Sequence, residues 1–117
     1  MKNRARSGVF RLANVQSAIP GPAGEHTVSI FQRGTLSAML ALSPAERPSP
    51  LARHQQDELY VIVRGRGVLF HDGKRDPFES GDLLFVAAGT EHRFEDFSDD
   101  LAVWVLFYGL LGGEVSA

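Results

Sequence analysis

No cysteine occurs among the 117 residues. That absence removes disulfides, thiolate nucleophiles and cysteine metal sites together. Any metal must then be held by imidazole, carboxylate or water. Long apolar runs are missing as well: the most apolar stretch, residues 101–111, falls far short of the roughly 20 residues a membrane helix requires. It reads as a strand buried on both faces. Nor is there an excess of one charge. A formal net charge of −2 gives no electrostatic case for nucleic acid or for an anionic membrane. The hydroxyl side chains have no base partner at a recognisable spacing, so a nucleophilic triad is unsupported. Arg64-Gly65-Arg66-Gly67 contains a GxG, but no helix follows it, and a turn between strands explains it.

What is present fits one soluble domain. Hydrophobic residues make up 44% and charged residues 22% of the chain, which is ordinary for a globular protein. A chain of this length buries roughly two-thirds of its unfolded surface without a covalent staple. The N-terminus differs in kind. Lys2, Arg4, Arg6 and Arg11 precede the first acidic residue, Glu25, and Pro20-Gly21-Pro22-Ala23-Gly24 interrupts regular structure. Residues 1–25 are therefore expected to form a partly ordered arm, and residues 26–117 a single domain. With no apolar segment of the secretory kind, the expected location is the cytoplasm.

From His26 onward, short β-prone runs alternate with turn signals at near-regular spacing. Strands are expected over residues 26–33, 35–42, 51–54, 58–64, 67–71, 75–79, 83–86, 92–97 and 101–108. Asp72-Gly73 is a hairpin turn, because both residues tolerate positive φ. No segment carries a convincing helical period, although 35–42 is ambiguous in its alanine and leucine content. The fold class is all-β, and an antiparallel jelly roll of about eight strands accommodates the count and protects its edges. Tyr60, Phe94, Trp104 and Phe107 are expected to pack its interior.

Two stretches carry chemistry: His54-Gln55-Gln56-Asp57-Glu58-Leu59-Tyr60, and Gly81-Asp82 onward to Ala88-Gly89-Thr90-Glu91-His92. Two imidazoles and one carboxylate can hold a divalent ion and leave coordination positions open. On one continuous strand His54 and Glu58 would stand about 13 Å apart. Pro48 and Pro50 argue against a helix, and Tyr60-Val61-Ile62-Val63 argues for a strand after the pair. A turn at residues 55–57 then lets His54 and Glu58 face one interior. An inward Glu without a cation would be costly to ionise. His26 and His71 fall at strand edges or on the surface.

These residues resemble the cupin superfamily. Ala52-x-His54-x3-Glu58-x6-Gly65 is similar to its first motif, His-x-His-x3-Glu-x6-Gly. Gly81-x5-Ala87-x-Gly89-x2-His92-x3-Asp96 is similar to its second, Gly-x5-Pro-x-Gly-x2-His-x3-Asn. The departures are Ala52 for the first histidine, Glu46 for an upstream glycine, Ala87 for the proline and Asp96 for the asparagine. The resemblance implies a cupin-type antiparallel β-barrel with His54, Glu58 and His92 on a divalent transition metal, of which Fe, Mn, Ni and Zn are not distinguished by these donors. Ala52 shares the inward face with His54 by strand alternation, so one ligand of the family's set is deleted.

Gln56, Asp57 and Asp96 are candidates to orient the histidines, and Gln56 or Asp57 to fill the vacancy at position 52. Tyr60 and Phe94 follow Glu58 and His92 inward and are expected to line a pocket. The resemblance implies action on a small organic molecule by dioxygenase-, isomerase- or decarboxylase-like chemistry. Non-catalytic binding of a small molecule, with the metal structural or absent, is the alternative. A homodimer is the expected assembly, through the arm and the 101–108 strand.

Overall fold

A computed structural model describes residues 6–114; Lys2 and Arg4 of the basic arm lie outside them. Eight strands carry the regular structure of the described chain: β1 (Thr27–Arg33), β2 (Leu36–Leu42), β3 (Asp57–Arg64), β4 (Arg66–His71), β5 (Lys74–Glu79), β6 (Leu83–Val86), β7 (His92–Glu95) and β8 (Ala102–Tyr108). All pair antiparallel. They form a five-stranded sheet in the order β1-β2-β8-β3-β6 and a three-stranded sheet in the order β5-β4-β7. The expected jelly roll is thus present as two facing sheets.

Period-two alternation explains which side chains fill the space between them. From β3, Glu58, Tyr60 and Ile62 are buried, while Val61 between them is exposed. Val103 and Val105 of β8 and Val86 of β6 join them, and Leu69 of β4 and Phe78 of β5 come from the opposite sheet. Each buried valine, leucine, isoleucine or phenylalanine among them contributes roughly 1.5–3 kcal/mol. Pro77 is tolerated because β5 is an edge strand. Asp72 (φ 49°) and Gly73 (φ 71°) form the expected hairpin turn between β4 and β5.

Four expectations are corrected. Residues 51–54 form no strand: only Ala52 makes an isolated bridge, to His92. Two nearby prolines, Pro48 and Pro50, deprive the segment of donors for a longer ladder. A helix that the sequence did not announce, α1 (Leu12–Gln16), packs against β1 and β2. At five residues it is too short to show a helical period. Trp104 lies in the outer groove with Phe10, Ile30 and Leu106, because its neighbours Val103 and Val105 take the inner face. Finally, β8 ends at Tyr108 and leaves Leu110 and Leu111 exposed, since Gly109 adopts φ 84° and turns the chain out of the sheet.

Candidate metal centre

Three side chains from three parts of the chain converge between the sheets. Glu58 is the second residue of β3 and His92 the first of β7, so they approach from opposite sheets. His54 arrives from the segment before β3. The Ala52 bridge anchors that segment: the Ala52 N–H donates to the His92 carbonyl and the His92 N–H to the Ala52 carbonyl, both at 2.9 Å. The Gly89 N–H donates to the His54 carbonyl at 2.7 Å. A bend at Gln55 and Gln56 follows, and it folds the His54 ring back over Glu58. The 13 Å of an unbroken strand is thereby reduced to 3.9 Å between His54 Nε2 and Glu58 Oε1.

His92 Nε2 lies 3.2 Å from the same Oε1. One ligand atom from each of the three residues lies within 4.8 Å of the others. Donors around one ion at about 2.0–2.2 Å stand roughly 3–3.5 Å apart, so small side-chain movements suffice to close the set on a cation. Glu58 and His92 are almost completely buried, at 2% and 3% exposure, whereas the His54 side chain is 40% exposed. The His54 and His92 rings lie 5.2 Å apart, and Phe107 meets the His54 ring edge-on at 4.9 Å.

The electrostatics leave one atom unsatisfied. His92 Nδ1 donates to the Thr90 carbonyl at 2.8 Å, which fixes the tautomer and turns the Nε2 lone pair toward Glu58 in the neutral ring. Glu58 Oε1 has no hydrogen-bond partner and no contact with solvent. Two lone-pair atoms that face each other in a dry site require a proton or a cation between them. Burial disfavours the charged His92, but the bond that a protonated Nε2 would donate to Glu58, the bond to Thr90 and the attraction of the carboxylate outweigh burial and raise its pKa. Burial, with the Glu58 charge second, pushes the Tyr60 phenol far above its ordinary value and keeps it protonated.

A cavity of about 330 Å³ opens beside the carboxylate. Tyr60 and Phe94 line it as alternation predicts, their rings 5.0 Å apart. Gln56, Asp57 and Asp96 are not at the site. Gln56 Nε2 donates to the carbonyls of Thr35 and Gly109. Asp57 accepts from the Ala88 and Glu114 N–H groups, each at 2.9 Å, and those bonds lower its pKa. Asp96 is exposed, with φ 48°, beside Arg47 and Pro48. Neither Gln56 nor Asp57 therefore fills the vacancy at Ala52. The group that orients His92 is a backbone carbonyl, which has no side-chain signature in sequence. His26 is exposed, as expected, but stands at the cavity rim.

Comparison with known proteins agrees with this architecture. An uncharacterized protein of Streptomyces coelicolor is 29% identical over 98 residues, covering 84% of this chain and 92% of that one. An oxalate-binding protein of Thermotoga maritima is 30% identical over 69 residues, covering 58% of this chain and 56% of the relative. Among solved structures, a Thermus thermophilus protein superposes with a TM-score of 0.69 at 19% identity, over 86% of this chain and 95% of its own; at that identity the likeness concerns the fold. A family model described as the cupin domain matches residues 38–108, from within β2 to the end of β8 and across all three converging residues. With both sheets and both motif segments inside that match, the chain belongs to the cupin superfamily.

Proposed function

We propose that this cupin holds a divalent transition metal on His54 Nε2, Glu58 Oε1 and His92 Nε2, and presents its open coordination positions to a small organic molecule in the cavity. The observation that carries the reading is Glu58 Oε1, a buried carboxylate oxygen without a hydrogen-bond partner, 3.2 Å from an imidazole nitrogen. A bound ion would supply Lewis acidity toward a ligand oxygen. The chain's own residues do the rest. Thr90 holds the His92 ring in its tautomer, Tyr60 stays a neutral neighbour of the carboxylate, and the apolar wall excludes water from the ligand body.

Metal content tests the reading. Purified protein incubated with Fe(II), Mn(II), Ni(II) or Zn(II) and desalted should retain about one ion per chain, and His92→Ala and Glu58→Gln should each abolish retention. Failure to take up any of the four ions would overturn the reading.

One observation favours binding without turnover over dioxygenase-, isomerase- or decarboxylase-like chemistry. Among the described residues, the titratable side chains lining the cavity are His54 and Glu58, both in the proposed metal set, Tyr60, held protonated, and His26 at the rim. A proton-transfer group beside a metal-bound ligand is therefore scarce. A homodimer belongs to the same proposal, but not through the 101–108 strand expected at its interface: β8 is paired on both sides, by β2 and β3, whereas β6 is an edge strand with Leu83 and Phe85 exposed and invites pairing.

A further inference from the structure

The cavity wall constrains which ligand the metal site can accept. Its inner surface is built from Met39, Leu42, Phe94, Val103, Val105 and Phe107, with Thr27, Ser49 and Tyr60 as hydroxyl-bearing members. Among the described residues no lysine or arginine lines it. Four arginines elsewhere are committed to other partners. Arg75 and Arg93 both bond Glu95 and lie over the Phe70 ring. Arg47 is held by Ser43, Asp99 and the Phe97 carbonyl, and Arg64 donates to the Asp100 carbonyl at 2.8 Å.

Charge balance follows from that wall. A dication ligated by one carboxylate and two neutral imidazoles keeps a single positive charge in excess. A monoanionic ligand cancels it. A dianion leaves one negative charge among aliphatic and aromatic side chains with no lysine or arginine beside it, a costly burial. Size points the same way, since about 330 Å³ lies at the small end of the roughly 300–1,000 Å³ range of ligand pockets. The Ala52 methyl group, opposite His92, leaves room at the metal for a two-oxygen head.

We infer that the ligand is a singly charged oxygen donor on a compact apolar body, such as an aromatic or branched aliphatic monoanion, and that the cavity discriminates against dianions. This rests on the metal-centre reading. It also separates this chain from a relative named for oxalate, a small dianion with no apolar body.

Three hydroxamates test the assignment, because they share one metal-binding head and differ only in body: acetohydroxamate, benzohydroxamate and 4-carboxybenzohydroxamate. Each is titrated into Co(II)-loaded full-length protein, followed by calorimetry and by the visible absorption of the ion. Benzohydroxamate should bind about tenfold or more tighter than acetohydroxamate, as expected from burial of one aromatic ring. The added carboxylate should cost about tenfold or more. Thr27→Lys, which places a cation at the wall, should recover the carboxylated probe selectively. Equal affinities for the three probes, or unchanged selectivity in Thr27→Lys, would overturn the ligand class while leaving the metal centre standing. Protein that takes up no Co(II) overturns the metal reading and the ligand class together.

Discussion

Ala52 and His92 exchange both backbone hydrogen bonds. Residues paired in this way on antiparallel segments project their side chains from the same face, so a side chain at position 52 points where the His92 imidazole points. An imidazole there would enter the site as a fourth ligand. Ala52→His should therefore raise metal affinity by about tenfold or more, given that even groups orienting a ligand contribute about 10–100-fold; competition with a chromophoric chelator measures it. One other motif departure has a local explanation. Asp96 replaces an asparagine at φ 48°, and both residue types tolerate that left-handed conformation. Asp57 shows the limit of alternation: it is buried beside Glu58, yet its carboxylate ties β3 to the Ala88 turn and to Glu114. Those partners lie 31 and 57 residues away, and local pattern does not record them.

The hairpins show which elements were legible. Asp72-Gly73 and the β-branched run of β3 announce themselves because turn chemistry and period-two burial are local. The segment before β3 reads as a strand in sequence but forms only an isolated bridge, because its shape is set by contacts distant in sequence, to His92 of β7 and to Gly89. Gly65, between β3 and β4, has φ 92°, and a Cβ there would stand 2.9 Å from Leu101 Cα. Gly65→Ala should destabilise the protein by about 1–3 kcal/mol, measured by urea unfolding. In the next hairpin, His71 Nε2 donates to Asp76 at 2.6 Å and Nδ1 to Asp72 at 3.0 Å when the ring is protonated. The bond to Asp76 is the main cause of its raised pKa; partial burial opposes it, and Asp72 reinforces it. A raised folded-state value means that the stabilisation is fully present below the ordinary value of 6.5 and is lost as pH rises through the folded value. The difference in Tm between the wild type and Asp76→Asn should therefore be largest in mild acid and shrink toward alkaline pH. A difference that grows with pH would contradict the assignment.

At the scale of the whole molecule the proposed metal set would act as a staple between layers. Glu58 belongs to the five-stranded sheet, His92 to the three-stranded sheet, and His54 to the connection between β2 and β3. Sequence motifs named the three residues, but which sheet each joins follows from a strand order that only the folded chain displays. An ion held by all three binds the folded state and finds no such set in the unfolded chain. At a free concentration about 100 times Kd it should add about 2.7 kcal/mol, or on the order of 10 °C in Tm for a domain of this size. The pH dependence should reverse between the two forms. Without metal, burial opposes the His92 charge, but Glu58 and Thr90 outweigh it and raise the pKa. The contribution of His92 is then complete below 6.5 and lost as pH rises through its folded value. With metal, the ring must be neutral, so the ion displaces a proton and its gain fades as pH falls through that same range. Thermal unfolding with and without Ni(II), across mildly acidic to mildly alkaline buffers, should show a metal increment that grows with pH. His92→Ala should show none at any pH. An increment independent of pH, or one that survives His92→Ala, would mean that the stabilising ion sits elsewhere.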